Sequence, residues 1–163
     1  MPRIYIGIGS NIDRDHNIRG ALKELGALFG ELTCSDVYES DAVGFDGDAF
    51  YNLVAAFESD KDVAELEAEF DRIEKKYGRT ASSRRFAPRT LDIDLLLYGD
   101  LIDKSDKHDI PRKEISEYAF VLLPLSEIAG DARHPVTGER FAAMWERFPK
   151  DQKLSRIDWE FND

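Results

Sequence analysis

Two carboxylates, Asp92 and Asp94, stand two residues apart in the segment Leu91-Asp92-Ile93-Asp94-Leu95-Leu96-Leu97-Tyr98. In an extended strand alternate side chains share a face, so these two point the same way. Their backbone positions lie roughly 6.5 Å apart. Leu91, Ile93, Leu95 and Leu97 take the opposite face, as a core requires. Two like charges at that separation repel by about 2.5 kcal/mol at an effective dielectric of ~20. A divalent cation offsets that repulsion. Magnesium in particular accepts a few carboxylates and completes its shell with water and phosphate oxygens. The same spacing also fits an exposed strand face, or two ion pairs with nearby arginines.

Such arginines lie just upstream. Arg79, Arg84, Arg85 and Arg89 fall within a stretch that holds no acidic residue, in a chain whose formal net charge is −11. A local reversal of charge suits a polyanion such as a nucleotide triphosphate. A solvated basic loop fits the spacing equally well. The overall acidity argues against a nucleic-acid-binding surface, which carries a basic footprint.

The elements that must position these groups can be read from periodicity. Ile4, Ile6 and Ile8 alternate with Tyr5, Gly7 and Gly9, which predicts a strand with one apolar and one small face. A ligand or close neighbour can approach the glycine side. Ile18, Leu22, Leu25 and Phe29 mark a helix stopped by Gly30. Leu32 to Ser40 is expected to form one strand, and 41–48 a loop. Phe50 to Glu58 reads as a strand with Asn52 as the polar residue on an otherwise apolar face. Asp62 and Glu65 form a capping-box pattern ahead of a helix with its stripe at Val63, Leu66, Phe70, Ile73 and Tyr77. Thr90 to Tyr98 is the carboxylate strand. Asp103 to Glu114 reads as a charged linker. Ala119 to Ile128 is expected to be helical despite Pro124, and Phe141, Met144, Trp145 and Phe148 suggest a last helix.

This order of elements predicts an α+β fold, a ferredoxin-like α/β/α sandwich with a mainly antiparallel sheet. The 163 residues fit one domain spanning 1–163, with no repeat or low-complexity tract. No apolar run approaches the length needed to cross a bilayer, and the N-terminus lacks a secretory signal, so a cytoplasmic location with no membrane partner is expected. The single cysteine, Cys34, reads as a small core residue. The segment Gly7-Ile8-Gly9-Ser10-Asn11 is neither a dinucleotide fingerprint nor a Walker loop, so a bound ATP must be held by arginines and metal.

Taken in order, these segments resemble the 6-hydroxymethyl-7,8-dihydropterin pyrophosphokinase family of folate biosynthesis. The resemblance rests on Tyr5-Ile6-Gly7-Ile8-Gly9-Ser10-Asn11, Phe50-Tyr51-Asn52-Leu53-Val54, Glu74 with Gly78-Arg79, Pro88-Arg89-Thr90-Leu91-Asp92-Ile93-Asp94-Leu95, Ile110-Pro111, Phe120-Val121-Leu122-Leu123-Pro124-Leu125 and His134-Pro135. It implies ATP as co-substrate, two magnesium ions and a pterin acceptor; a monomer is expected. It further implies that Asp92 and Asp94 ligate the metal, and that Arg79 and Arg89 act as catalytic contacts to the phosphates. Val43, Gly44, Phe50, Asn52, Phe86 and Phe120 would form the pterin site, with Phe86 and Phe120 sandwiching the ring. Glu74, Arg85, Leu95, Lys107, Arg112 and Lys113 would surround ATP.

The chain departs from the family pattern mostly on the ATP side. Phe86 and Ala87 stand where tryptophan and glycine are usual, Ala81 replaces an arginine, Arg112 a histidine and Tyr118 an arginine. Arg112 and Lys113 are cations able to replace lost phosphate contacts. The alternative to the enzyme is a family paralogue that binds a pterin or modified pterin with lost or altered transfer activity.

Overall fold

The computed structural model describes residues 1–41, 49–77 and 91–160. The chain opens with β1 (Arg3–Ser10), α1 (Arg14–Phe29), β2 (Thr33–Cys34), β3 (Val37–Ser40), β4 (Phe50–Glu58), α2 (Val63–Lys76) and β5 (Asp92–Tyr98). It continues with a two-stranded ribbon, β6 (Asp103–Lys104) and β7 (Asp109–Ile110), then α3 (Glu114–Glu117), α4 (Ala119–Ala129), α5 (Phe141–Arg147) and β8 (Leu154–Ile157). The main sheet runs β5-β1-β4-β3-β8, with β2 beside β4, and every pairing is antiparallel. This is the expected α+β arrangement, with helices on both faces of the sheet.

Two apolar layers follow from strand alternation. Ile4, Ile6 and Ile8 of β1, Leu53, Ala55 and Phe57 of β4, and Ile93 and Leu95 of β5 face α1 and α2. There they meet Ile18, Leu25, Leu66, Phe70 and Ile73. Val54, Leu96 and Leu97 face the other way, toward Leu122, Leu125, Phe141 and Met144. A fully buried Ile, Leu or Phe side chain contributes about 1.5–3 kcal/mol, so these two layers dominate the stability. The α2 capping box forms as expected. The Glu65 backbone N–H donates to Asp62 Oδ1 at 2.8 Å, and the Asp62 N–H donates to Glu65 Oε1 at 3.1 Å. Cys34 packs against the first layer, and burial pushes its thiol up to about 11.

Several expectations are corrected. The 32–40 segment is two strands rather than one. The register against β4 gains a residue between Cys34 and Tyr38, and Ser35 fills the gap, its N–H donating to the Val54 carbonyl and its Oγ accepting from the Val54 N–H, both at 2.9 Å. The carboxylate strand does not keep strict alternation. Tyr5 pairs with Leu97 but Ile6 with Leu95, so Leu96 is an extra, bulged residue. Leu97 therefore turns to the α4 layer, away from Ile93 and Leu95. The supposed linker, 103–114, holds the β6–β7 ribbon and ends at the start of the short α3. Helix α4 forms over Ala119–Ala129 as expected, with Pro124 inside it offering no N–H to the Phe120 carbonyl. Strand β8 has no signature in the sequence. It lies at the sheet edge beside β3, anchored by Arg156 Nε to Asp36 Oδ2 at 2.9 Å. Among the described residues no helix is long and apolar enough to cross a membrane.

Candidate active site

The site is built on three neighbouring strands read across the sheet. Gly9 of β1 pairs with Asp92 on one side and Asn52 on the other; Gly7 pairs with Asp94 and Val54. Neighbouring strands lie about 4.8 Å apart. The carboxylates and the amide thus flank a strip of bare backbone. Between these two rows, Ile8, Leu53 and Ile93 turn their side chains into the opposite layer. The alternation predicted for β1 is what leaves this floor open.

A cavity of about 230 Å3 sits on that floor, lined by Gly7, Gly9, Asn52, Asp92 and Asp94 and walled by Phe50, Leu96, Arg112, Glu114 and Phe120. Asn52 is 6% exposed, and its Nδ2 donates to Ser40 Oγ at 2.7 Å and to the Tyr38 carbonyl at 3.4 Å. Its amide plane is therefore fixed. Phe120, near the start of α4, stacks on Tyr118 with ring centroids 5.0 Å apart and planes inclined at 22°. A fused heterocycle fits such a pocket: an aromatic wall for its face and a fixed amide for its edge.

A second cleft of about 180 Å3 lies toward α2, lined by Glu67, Phe70, Asp71, Glu74, Ile93, Asp94, Leu95 and Arg112. Asp94 and Arg112 line both cavities and so form the partition between them. Glu74 is 5% exposed on α2, and its Oε2 accepts the Ile93 N–H at 2.7 Å. That bond grips the strand between the two aspartates.

Arg112 is tethered through its own N–H, which donates to the carbonyl of the bulged Leu96 at 3.0 Å. Its Nη2 lies 3.6 Å from Asp94 Oδ1, and its Nε 2.5 Å from Glu114 Oε2. Burial opposes its charge, but Asp94, Glu114 and Asp109 together outweigh burial and hold the guanidinium above its ordinary value. Asp109 braces the same segment: its carboxylate takes the Lys113 N–H at 2.9 Å and is held below the usual range by the Lys104 ammonium.

The donor set fits magnesium. Asp92 and Asp94 are half-buried, line the cavity together and face glycines, leaving room for an ion and its waters. Magnesium accepts a few carboxylates and completes its shell with water and phosphate oxygens.

Of the residues singled out from sequence, Phe50, Asn52, Asp92, Asp94, Arg112 and Phe120 line the main cavity, and Glu74 and Leu95 the second. Lys107 and Lys113 are exposed and line neither. Val43, Gly44, Arg79, Arg85, Phe86 and Arg89 lie outside the described residues. Glu114 and the bulged Leu96 were not anticipated. Glu114 sat at the end of a segment read as linker, and no one-dimensional pattern marks a bulge inside an apolar run.

Comparison with known proteins identifies the family. A family model described as 7,8-dihydro-6-hydroxymethylpterin-pyrophosphokinase matches residues 5–130. A protein from Haemophilus influenzae named 2-amino-4-hydroxy-6-hydroxymethyldihydropteridine pyrophosphokinase is 37% identical over 135 residues, covering 80% of this chain and 84% of its own length. Its namesake from Aquifex aeolicus is 33% identical over 138 residues, covering 83% of this chain and 86% of its own. The folic acid synthesis protein fol1 of Pneumocystis carinii is 36% identical over 147 residues, 88% of this chain, but the chain spans only 20% of that longer protein. The crystal structure of Plasmodium falciparum HPPK-DHPS with pterin and p-hydroxybenzoate superposes with a TM-score of 0.72 at 13% identity. That match covers 90% of this chain and 43% of the other, and it shows a shared fold. With a model match over most of its length, and the aspartate pair and pocket residues of the motif gathered on one glycine floor, the chain belongs to the 7,8-dihydro-6-hydroxymethylpterin-pyrophosphokinase family.

Proposed function

We propose that this chain moves the β,γ-pyrophosphoryl group of ATP onto the hydroxymethyl oxygen of 6-hydroxymethyl-7,8-dihydropterin, through the residues gathered at its glycine floor. The observation that carries this reading is the cross-strand row Asp92–Gly9–Asn52, which sets a cation-binding carboxylate and a fixed amide about two strand spacings apart over open backbone. A pterin held by Asn52 and stacked on Phe120 points its hydroxymethyl arm along that floor toward the carboxylates.

Asp92 and Asp94 would hold magnesium, two ions by family likeness, and the metal would supply neutralisation of the phosphate charge. Arg112, at the partition, offers its fork to the phosphates, and Arg79 and Arg89 are assigned the same work by motif position. Glu74 and Leu95 line the nucleotide cleft, where Glu74 fixes the strand. The pterin hydroxyl oxygen attacks the β-phosphorus and gives up its proton to solvent; the bond from that phosphorus to the α-phosphate oxygen breaks; AMP leaves with the electron pair. Such transfer depends on positioning and charge neutralisation, so no protein nucleophile is required.

The test is the identity of the nucleotide product. MgATP with 6-hydroxymethyl-7,8-dihydropterin is expected to yield AMP and the pterin diphosphate in equal amounts, dependent on the pterin. Formation of ADP, or AMP without the pterin, would overturn the assignment.

A further inference from the structure

The position held by Arg112 goes beyond a phosphate contact. Its backbone is pinned to the bulged Leu96, and its side chain reaches back to two carboxylates of the same cavity, Asp94 at 3.6 Å and Glu114 at 2.5 Å. The guanidinium thus occupies the approach to one of the two oxygens sets assigned to the cation. We propose that Arg112 is a resident counter-ion of Asp94, which must pass to the nucleotide's phosphates before a divalent cation seats fully. This rests on the reading of Asp92 and Asp94 as the cation site.

The physical argument is competition for one carboxylate. A guanidinium and a divalent cation repel each other, so while Arg112 leans on Asp94 the ion is held less tightly. A phosphate oxygen gives the fork a stronger acceptor, matched to its planar geometry. Glu114 keeps Nε anchored, so the Nη end can leave Asp94 without the arginine losing its place. Arg112 lines both cavities and has only to turn across the partition. Cation and nucleotide binding are then linked: each favours the other by the same factor.

The experiment is a manganese titration followed by electron paramagnetic resonance, with the full chain, first alone and then with a non-hydrolysable ATP analogue. The parent is expected to bind manganese more tightly with the analogue than without it. Arg112→Met is expected to bind manganese alone about three- to fivefold more tightly than the parent, the upper range for one half-exposed ion pair, and to lose the same factor from the nucleotide-linked gain. Arg112→Gln, which keeps size and polarity, should do the same and guards against misfolding of the first variant; Arg112→Lys should stay near the parent. Asp94→Asn should lose manganese binding. Parent-like affinity in Arg112→Met and Arg112→Gln, with binding lost in Asp94→Asn, would overturn the counter-ion role alone. Parent-like affinity in Asp94→Asn would overturn the cation site, and the proposal with it.

Discussion

Asp92 of β5 pairs across the sheet with Gly9 of β1. On its other side the same glycine pairs with Asn52. One residue without a side chain therefore separates the proposed cation ligand from the amide proposed for the pterin edge. A methyl group there would stand 3.2 Å from Asn52 Oδ1 and 3.5 Å from Phe50 Cδ1, whereas one at Gly7 would meet the Leu96 side chain at an ordinary 3.7 Å.

Gly9→Ala is therefore expected to weaken pterin binding by about tenfold, because it pushes the Asn52 amide off the position that Ser40 and Tyr38 fix and narrows the floor, a loss on the scale of one hydrogen bond to a fixed partner. Binding of MgATP should change much less. Gly7→Ala, lacking the close contact with the amide, should leave pterin affinity near that of the parent. Calorimetric titration of both variants with pterin and with MgATP checks the contrast; equal losses in the two variants would contradict it.

Glu74 links helix α2 to the carboxylate strand by a buried bond to the Ile93 N–H at 2.7 Å. Glu74→Ala leaves that N–H without its acceptor and should cost about 1–3 kcal/mol of stability. Glu74→Gln keeps an acceptor and should cost less. Urea unfolding measures both, and a smaller loss in the alanine variant than in the glutamine variant would contradict the anchoring role.

His134 is 7% exposed, and its Nδ1 accepts the N–H groups of Val136 at 3.1 Å and Thr137 at 3.4 Å. Burial, helped by the Lys104 charge and opposed by Glu139, holds its pKa below the ordinary 6.5. The sign follows directly. Well above the ordinary value the ring is neutral in both folded and unfolded chains. As pH falls below about 6.5 the unfolded chain takes up a proton that the fold resists, so stability declines toward the lower folded pKa. His134→Asn keeps a short acceptor for the turn without the titration. Urea unfolding between about pH 7 and about pH 5.5 should show a steeper decline for the parent than for the variant; parallel curves would contradict this.

Much of the architecture was legible because it rests on local periodicity. The alternation of Ile4, Ile6 and Ile8 with small residues gave both the strand and its open face, and the spacing from Asp62 to Tyr77 gave the cap and stripe of α2. The aspartate pair was legible for the same reason, since side-chain period alone places Asp92 and Asp94 together. What escaped depends on tertiary pairing. Strand β8 carries only Leu154 and Ile157 as apolar residues and is a strand because β3 offers it an edge. The Leu96 bulge exists because β1 sets the register of β5, and it decides both where Leu97 packs and where Arg112 is tethered. Glu114 became visible as a cavity wall only once the ribbon β6–β7 folded the 103–114 segment back against β5.

In the proposed function, Asp92 and Asp94 hold the cation that makes pyrophosphoryl transfer possible. Its most direct test measures pterin-dependent AMP release from MgATP in the parent beside Asp92→Asn and Asp94→Asn, with folding verified by circular dichroism. Each substitution keeps shape and removes one charge. Pterin-dependent AMP is expected from the parent, with a fall of at least about a hundredfold in each variant, since each removes a charged contact to the transferring group. AMP release at parental rates from either variant would contradict it.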